Sequence, residues 1–294
     1  MTIFYIIGNG FDLWHGLPTS YGQFYEYAKD TLDDAERYFD PGDTDRPWSD
    51  FESSLGTYDW RELFDECNFT DPTSESFKVS ETYGLQDELT ERADELHRSI
   101  EECFCEWVDQ IDVNAASKQM KFDAQARFIS FNYTSTLQTV YEIDESRILH
   151  IHGRSNRGEV IFGHGVEVIE EPELDENGDS NRSMFTDSEN AAKYPLHAFQ
   201  KQTGAIIQNQ RAYFDSLCGL TRIAVLGHSL ADVDLPYFKE VANRNTDCEW
   251  IVYYYNESQK PSMVQQLVKC GVDATMISAR PYPNDATKVP ITKP

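Results

Sequence analysis

The chain has 294 residues, of which 40% are hydrophobic and 26% are charged, so it is long enough and apolar enough to bury a substantial core. Its 51 acidic and 25 basic residues give a formal net charge of −26. Because such a field repels the phosphates of nucleic acids, we expect no broad nucleic-acid surface. No apolar stretch approaches the roughly 20 residues of a membrane span, and the first residues lack the pattern of a signal peptide. Six cysteines without a CxxC pair favour free thiols in a reducing cytoplasm.

The first predicted element is a strand over residues 3–7, IFYII. Five β-prone residues without a charge are typical of a strand that is buried on both faces of a parallel sheet. The strand stops at Gly8-Asn9-Gly10, where two glycines allow a sharp turn that exposes backbone N–H groups. A helix after this turn would create an anion site, as in proteins that bind nucleotide phosphates. The match to GxGxxG is partial, because position 13 is Leu13.

Residues 30–120 are predicted to form a mainly helical insertion. Within it, apolar residues recur at steps of three and four between Leu89 and Ile111, which indicates a long amphipathic helix. The stretch before this helix, residues 30–84, mixes helical patches with turn signals such as DPGD at 40–43.

The rest of the chain alternates strands with helices, which is typical of a parallel α/β sheet. Further strands are predicted at 127–131, 147–153, 160–163, 223–226, 250–255 and 274–278, and helices near 189–218, from 235 and near 259–270. The predicted fold class is α/β, a mostly parallel Rossmann-like sheet formed by residues 1–29 and 121–294. The segment 167–189 carries nine acidic residues and one basic residue, which we interpret as a mobile excursion or a solvated face.

Four of the predicted strands end in compact polar signatures. They are GNGFD at 8–12, FNYT at 131–134, HIHG at 150–153 and GHSLADVD at 227–234. Because the carboxyl ends of parallel strands line one crevice, these distant signatures are expected to converge there. The sequence therefore predicts a site for a nucleotide-sized ligand at this edge of the sheet.

Seven segments between residue 3 and about residue 238 form a specific combination, namely IIGNGFDLWHGLPTSY, WSDFESSL, SFNYTSTL, LHIHG, FGHG, FQKQT and VLGHSLADVDLPYF. Taken together, they resemble the bacteriophage abortive-infection AbiH family. That family in turn resembles sirtuin-like NAD-binding domains. The paired CxxC zinc ribbon of protein-deacylating sirtuins is absent from this sequence, so the resemblance points to the zinc-free sirtuin-like domains of phage-defence systems, which hydrolyse NAD.

The resemblance implies an antiviral defence protein that cleaves the N-glycosidic bond of NAD to nicotinamide and ADP-ribose without a metal. Asn132 stands where sirtuin-like domains carry an asparagine at a strand end, and it would orient nicotinamide or water. His152 stands where they carry the catalytic histidine, and it would accept a proton at neutral pH. Such a role also implies a phage-derived trigger or partner protein and allows a homo-oligomer.

The cofactor contacts that the resemblance implies come from two glycine turns and two carboxylates. Gly8, Asn9 and Gly10 would hold the diphosphate, Gly227 and Ser229 would approach a ribose, and Asp12 or Asp234 would bind sugar hydroxyls or fix the turns.

Structural explanations compete with each of these roles. The glycines alone would make a tight turn between strand and helix, and Asn132 would cap a strand end. Asp12 and Asp234 would serve equally well near helix N-termini. His150 and His152 alternate on one predicted strand, and we interpret His150 as the buried, hydrogen-bonded histidine and His152 as the site residue. His15 and His228 are interpreted as supporting or structural.

Two other functions remain open from the sequence. The crevice could bind a nucleotide as a sensor without turning it over, with the helical insertion as an oligomerisation surface. A metal-dependent phosphoester hydrolase would use His150, His152, His164 and His228 with Asp12 and Asp234 as ligands. Two-metal phosphoesterases usually carry GDxxD and GNH signatures, which this chain lacks.

Overall fold

The computed structural model describes residues 3–154, 160–169 and 172–282. The chain forms two compact units. The first comprises Met1–Gln23, Trp107–Ile161 and Gln202–Pro294, and the second comprises Phe24–Glu106 and Phe162–Lys201. The second unit thus includes residues 162–201, whereas the sequence predicts that these belong to the α/β domain and that the insertion covers only 30–120.

The first unit is built on a six-stranded parallel sheet. Its strands are β1 (Phe4–Ile7), β2 (Arg127–Ser130), β3 (Ile148–His150), β4 (Arg222–Leu226), β5 (Glu249–Tyr254) and β6 (Ile277–Pro281). All five neighbouring pairs are parallel, in the order β3-β2-β1-β4-β5-β6. Doubly wound dinucleotide-binding folds share this order, and their ligands bind where it reverses, between β1 and β4. The predicted α/β class with a parallel sheet is confirmed.

The described residues of the two units contain thirteen α-helices. They are α1 (Asn9–Trp14), α2 (Tyr21–Tyr27), α3 (Lys29–Ala35), α4 (Phe51–Leu55), α5 (Trp60–Cys67), α6 (Ser80–Asp109), α7 (Thr136–Tyr141), α8 (Thr186–Ala192), α9 (Tyr194–Ala198), α10 (Thr203–Asn209), α11 (Arg211–Asp215), α12 (Leu235–Asn243) and α13 (Lys260–Lys269). The predicted long amphipathic helix is α6, which begins nine residues earlier than Leu89 and ends two residues before Ile111. None of the described helices is both long enough and apolar enough to cross a membrane.

The sheet is buried on both faces, as the apolar run of β1 predicts. Phe4 and Ile6 belong to one core cluster, in which residues of α11, α12 and α13 cover the sheet. Tyr5 and Ile7 belong to the opposite cluster, together with residues of α1 and α7. Successive residues of a strand point to opposite faces, so each strand supplies both cores.

The second unit has an aromatic core of its own. Phe104 of α6 packs against Phe24 at 5.2 Å, against Phe51 at 5.7 Å and against Phe162 at 4.5 Å between ring centroids. Aromatic pairs at such separations stabilise a core beyond the area that they bury. The hydrophobic side of α6 therefore holds three distant segments of this unit together.

Two sequence predictions need correction or qualification. The strand predicted at 160–163 is wrong, because Val160 makes only an isolated antiparallel bridge with Gly153 and Gly163 has a φ of +132°, which is not a strand conformation. Residues 170 and 171 of the acidic segment lie outside the described residues. Its described part contains a turn in which Asp175 Oδ1 accepts the N–H groups of Asn177 and Asp179.

Candidate functional site

Two glycine turns pack against each other after β1 and β4. A Cβ on Gly8 would lie 2.6 Å from the Cα of His228, and a Cβ on Gly10 would lie 2.9 Å from the Cα of Gly227. The Gly8 N–H donates to the Leu226 carbonyl at 2.9 Å, and the Gly10 N–H donates to the Gly227 carbonyl at 2.7 Å. Close backbone approach therefore requires glycine at both positions. These two N–H groups already have partners and are therefore not available to a diphosphate. A diphosphate contact at this turn stays a prediction and would have to involve other groups.

Asn9 and Asp12 lie on α1, directly after this turn. Asn9 Nδ2 donates to the Thr19 carbonyl at 2.6 Å, which fixes the loop that follows α1. Asp12 is 1% exposed, and Thr134 Oγ1 donates to its Oδ2 at 2.5 Å. Burial raises the pKa of Asp12 to about 6, although hydrogen bonds from Thr134 and its neighbours oppose the rise. Asp12 is thus a buried acid that titrates just below neutral pH.

Asn132 is buried two residues after the end of β2, and His150 binds its backbone carbonyl. His150 Nδ1 donates to the Asn132 carbonyl at 3.0 Å, so the Nε2 atom of the neutral ring accepts from Gln138 Nε2 at 2.8 Å. Burial lowers the pKa of His150, which matches its interpretation as the hydrogen-bonded histidine. The Asn132 Oδ1 atom is buried without a hydrogen-bond partner among the described residues. Such an acceptor is costly unless a ligand or water donates to it.

His152, His228 and Asp234 form a buried group, which we call the His–Asp–His group. His152 Nε2 lies 3.7 Å from Asp234 Oδ1, and His228 Nε2 lies 3.3 Å from Asp234 Oδ2. All three residues are at most 6% exposed. The carboxylate therefore faces one imidazole from the end of β3 and another from the end of β4.

Phe131, which lies between β2 and Asn132, contacts both imidazoles of the His–Asp–His group. Its ring lies 5.1 Å from that of His152 and 4.3 Å from that of His228, with both imidazoles edge-on to it, and Asn132 is the next residue in the chain. Ser229 differs from the other predicted residues, because it is exposed. Phe131 thus links Asn132, its neighbour in the chain, with the two imidazoles that face Asp234.

The sequence predicts no catalytic or NAD-binding role for three residues that organise this edge. It indicates a supporting role for His228, or a metal ligand in the alternative hydrolase, and Thr134 and Phe131 are only letters of the FNYT signature. Their contacts depend on which strands are neighbours, so the sequence offered one usable signal, namely that all three belong to strand-end signatures.

The candidate ligands of a metal-dependent hydrolase do not form a metal site in the described residues. Among residues 3–154, 160–169 and 172–282, no group of three or more His, Cys, Asp or Glu side chains has an arrangement that could hold a metal ion. His164, one of the ligands considered, instead donates from Nε2 to the Leu196 carbonyl at 2.9 Å.

Three of the segments that carry the family resemblance meet inside the second unit. Lys201 of FQKQT, whose side chain is fully buried, pairs with Glu52 of WSDFESSL at 2.9 Å. The His164 N–H of FGHG donates to the Phe199 carbonyl at 2.9 Å. A Cβ on Gly56 would lie 2.9 Å from the Cβ of His164. These segments therefore have a structural role in the packing of their own unit.

The comparisons with known proteins agree with the motifs. A family model described as bacteriophage abortive infection AbiH matches residues 4–254. No curated protein and no solved structure matches the chain, so the sirtuin-like part of the resemblance stays a prediction. The match covers most of the 294 residues and includes all four strand-end signatures. The chain belongs to the bacteriophage abortive-infection AbiH family.

Proposed function

We propose that this AbiH-family chain acts in abortive infection by binding NAD at the carboxyl edge of its sheet and hydrolysing the N-glycosidic bond. The observation that supports it best is a buried acceptor, Asn132 Oδ1, that has no hydrogen-bond partner among the described residues. It lies at the same edge of the sheet as His152, an imidazole beside a carboxylate. Both stand at strand ends of a sheet with the strand order of dinucleotide-binding folds. The contact proposed for Gly8, Asn9 and Gly10 rests on their position at the reversal of that order.

The reaction needs positioning and one base. Water attacks C1′ of the nicotinamide ribose, and the C1′–N bond breaks with its electron pair passing to the nicotinamide ring. The transition state resembles the oxocarbenium ion of glycoside hydrolysis. Asn132 Oδ1 accepts a hydrogen bond from the nicotinamide amide or from the water. His152 takes the proton that the water loses, which leaves nicotinamide, ADP-ribose and a proton as products.

Burial of both catalytic residues fits a protein that is held inactive until infection. Asn132 and His152 are 6% and 2% exposed, so NAD reaches them only after the surrounding chain opens. We therefore propose that a phage-derived trigger promotes this opening. Low turnover by resting protein is the expected result.

The test measures NAD and its products with and without infection. Purified protein and cells that express it, before and after phage challenge, are assayed by mass spectrometry for nicotinamide and ADP-ribose. Removing a general base typically costs about 10²–10⁴-fold in rate, so His152→Ala and Asn132→Ala should each abolish product formation. Asn114→Ala, at an exposed asparagine, is the matched control and should leave it unchanged.

The remaining outcomes separate the competing functions. Bound but intact nucleotide, before and after challenge, would establish the sensor and exclude hydrolysis. Phosphate release that depends on an added divalent metal would favour the phosphoester hydrolase. Neither binding nor loss of NAD in infected cells would refute both nucleotide proposals.

A further inference from the structure

Asp234 lies between the buried imidazoles of His152 and His228. The proposed reaction assigns a chemical role to His152 but none to His228. We propose that His228 and Asp234 are a positioning pair that orients His152 and sets its affinity for a proton. This inference deepens the role proposed for His152 and rests on that proposed function for its catalytic meaning. The influence of His228 and Asp234 on His152 can be tested without NAD.

The tautomer of His228 is fixed by the turn that follows it. The Leu230 N–H donates to His228 Nδ1 at 2.9 Å. A ring nitrogen that accepts a hydrogen bond carries no proton, so the proton of the neutral ring is on Nε2. Leu230 has a φ of +59°, a left-handed conformation that non-glycine residues rarely adopt. The turn therefore holds Leu230 in a strained backbone conformation in which its N–H group donates to His228.

The protonated Nε2 of His228 faces Asp234. Its distance of 3.3 Å from Oδ2 lets the imidazole N–H stabilise the ionised carboxylate in a site where water is excluded. The same contact restrains the rotation of the carboxyl group, which leaves Oδ1 toward His152. His228 thus restrains the orientation of Asp234 and places an N–H group beside its carboxyl oxygen.

His152 receives the effect of that carboxylate. Its Nε2 lies 3.7 Å from Asp234 Oδ1, which is longer than a hydrogen bond but within the range where an opposite charge favours the protonated imidazole. Contacts of this kind often tighten only when substrate is bound. When His152 accepts a proton from water, Asp234 stabilises the imidazolium that forms.

Aromatic rings restrict the movement of both imidazoles. Phe131 contacts His152 and His228 edge-on, and Tyr237 of α12 lies 5.6 Å from His152 between ring centroids. Within the described part of the chain, His228 at the end of β4 faces Asp234, and Tyr237 of α12 faces His152. Edge-to-face packing of this kind restrains the direction of each imidazole toward the carboxylate.

Two substitutions of His228 separate its two nitrogen atoms. In His228→Asn, the amide oxygen can still accept the Leu230 N–H, but the donor to Asp234 is lost. In His228→Gln, the longer side chain can still donate an amide N–H toward Asp234, but the acceptor for Leu230 is lost. A positioning role predicts that His228→Asn is the more damaging change for His152. A purely structural role in the turn predicts the reverse order.

The experiment follows the titration of His152 by NMR in the full chain with ¹⁵N-labelled histidine. We expect the pKa of His152 to fall by about one unit or more in Asp234→Asn, to fall in His228→Asn, and to change little in His228→Gln. Asp232→Asn is the matched control, because Asp232 is an exposed carboxylate that accepts from Gln266 at 2.9 Å. Product formation from NAD, measured on the same variants, should follow the same order.

The two proposals fail in different ways. An unchanged titration of His152 in Asp234→Asn and in His228→Asn would overturn the positioning pair, whatever the activity. If the variants change the titration of His152 but the wild-type protein neither binds nor cleaves NAD, the positioning pair stands and the proposed hydrolysis is refuted. If His228→Asn does not fold, Asp234→Asn and His228→Gln decide the question.

Discussion

Asp12 is the single residue whose burial has the clearest thermodynamic consequence. Its pKa is about 6 in the folded chain, against 3.8 for an ordinary aspartate. Below about pH 4 both states are protonated and the group costs nothing. As the pH rises toward 6, the unfolded chain ionises first, so the folded state becomes progressively less stable. Above about pH 6 the loss levels off at about 3 kcal/mol, from about 1.4 kcal/mol per unit of pKa shift.

We therefore expect Asp12→Asn to gain stability relative to the wild type as the pH rises from 4 to 7, because asparagine cannot ionise. Urea unfolding of both proteins across this range measures the difference, in which the titration of the other acidic residues cancels. Asp232→Asn, the same substitution at an exposed site, is the control for the loss of one carboxyl group. A difference in stability between Asp12→Asn and the wild type that does not vary with pH would mean that the Asp12 carboxyl is solvated.

At the scale of elements, the contact between the β1 and β4 turns is the most constrained point of the sheet edge. Gly227 has a φ of +70°, and a Cβ there would lie 2.1 Å from the Phe11 nitrogen. Gly219 has a similar φ of +77° but no atom within 4 Å of the position of its Cβ. Gly219→Ala should therefore cost only the conformational penalty of about 1–2 kcal/mol. Gly227→Ala adds overpacking of typically 1–3 kcal/mol or more.

Chemical denaturation of the two alanine variants measures this contrast directly. The difference between them isolates the close approach of the turns, because both substitutions introduce the same side chain at a positive φ. Equal losses of stability would mean that the β1 and β4 turns can move apart at little cost.

The same turns mark where sequence reasoning about this chain succeeds and where it stops. The uncharged run of β1 predicts burial on both faces, since that property depends only on the local pattern. The glycines of GNGFD also predict a sharp turn, but their packing against Gly227 depends on β1 and β4 being neighbours. The strand expected from Val160 fails for a related reason, because short apolar runs become strands only when a sheet edge is available to pair with them.

The candidate site divides in the same way. The strand-end signatures predict that polar residues gather at one edge, and Asn132, His152 and Asp234 do so. The tautomer of His228 and the unsatisfied oxygen of Asn132 could not be predicted, because each depends on the position of one atom. Such details follow from a fixed tertiary arrangement and have no counterpart in a residue pattern.

For the whole molecule, the formal net charge of −26 should make stability depend on ionic strength. Like charges repel more strongly in the compact state than in the unfolded chain, and salt screens this repulsion as the Debye length falls from about 30 Å at 0.01 M to about 10 Å at 0.1 M. We expect the midpoint of thermal unfolding to rise by at least about 2–4 °C over this range, which corresponds to about 1 kcal/mol.

Sodium chloride and sodium sulfate at equal ionic strength should act alike, because screening depends on ionic strength, whereas exclusion of sulfate from the protein surface depends on its concentration and identity. A midpoint that falls with added chloride would show that attractive ion pairs, such as Arg244 with Asp215 and Glu240, outweigh the repulsion between the acidic residues.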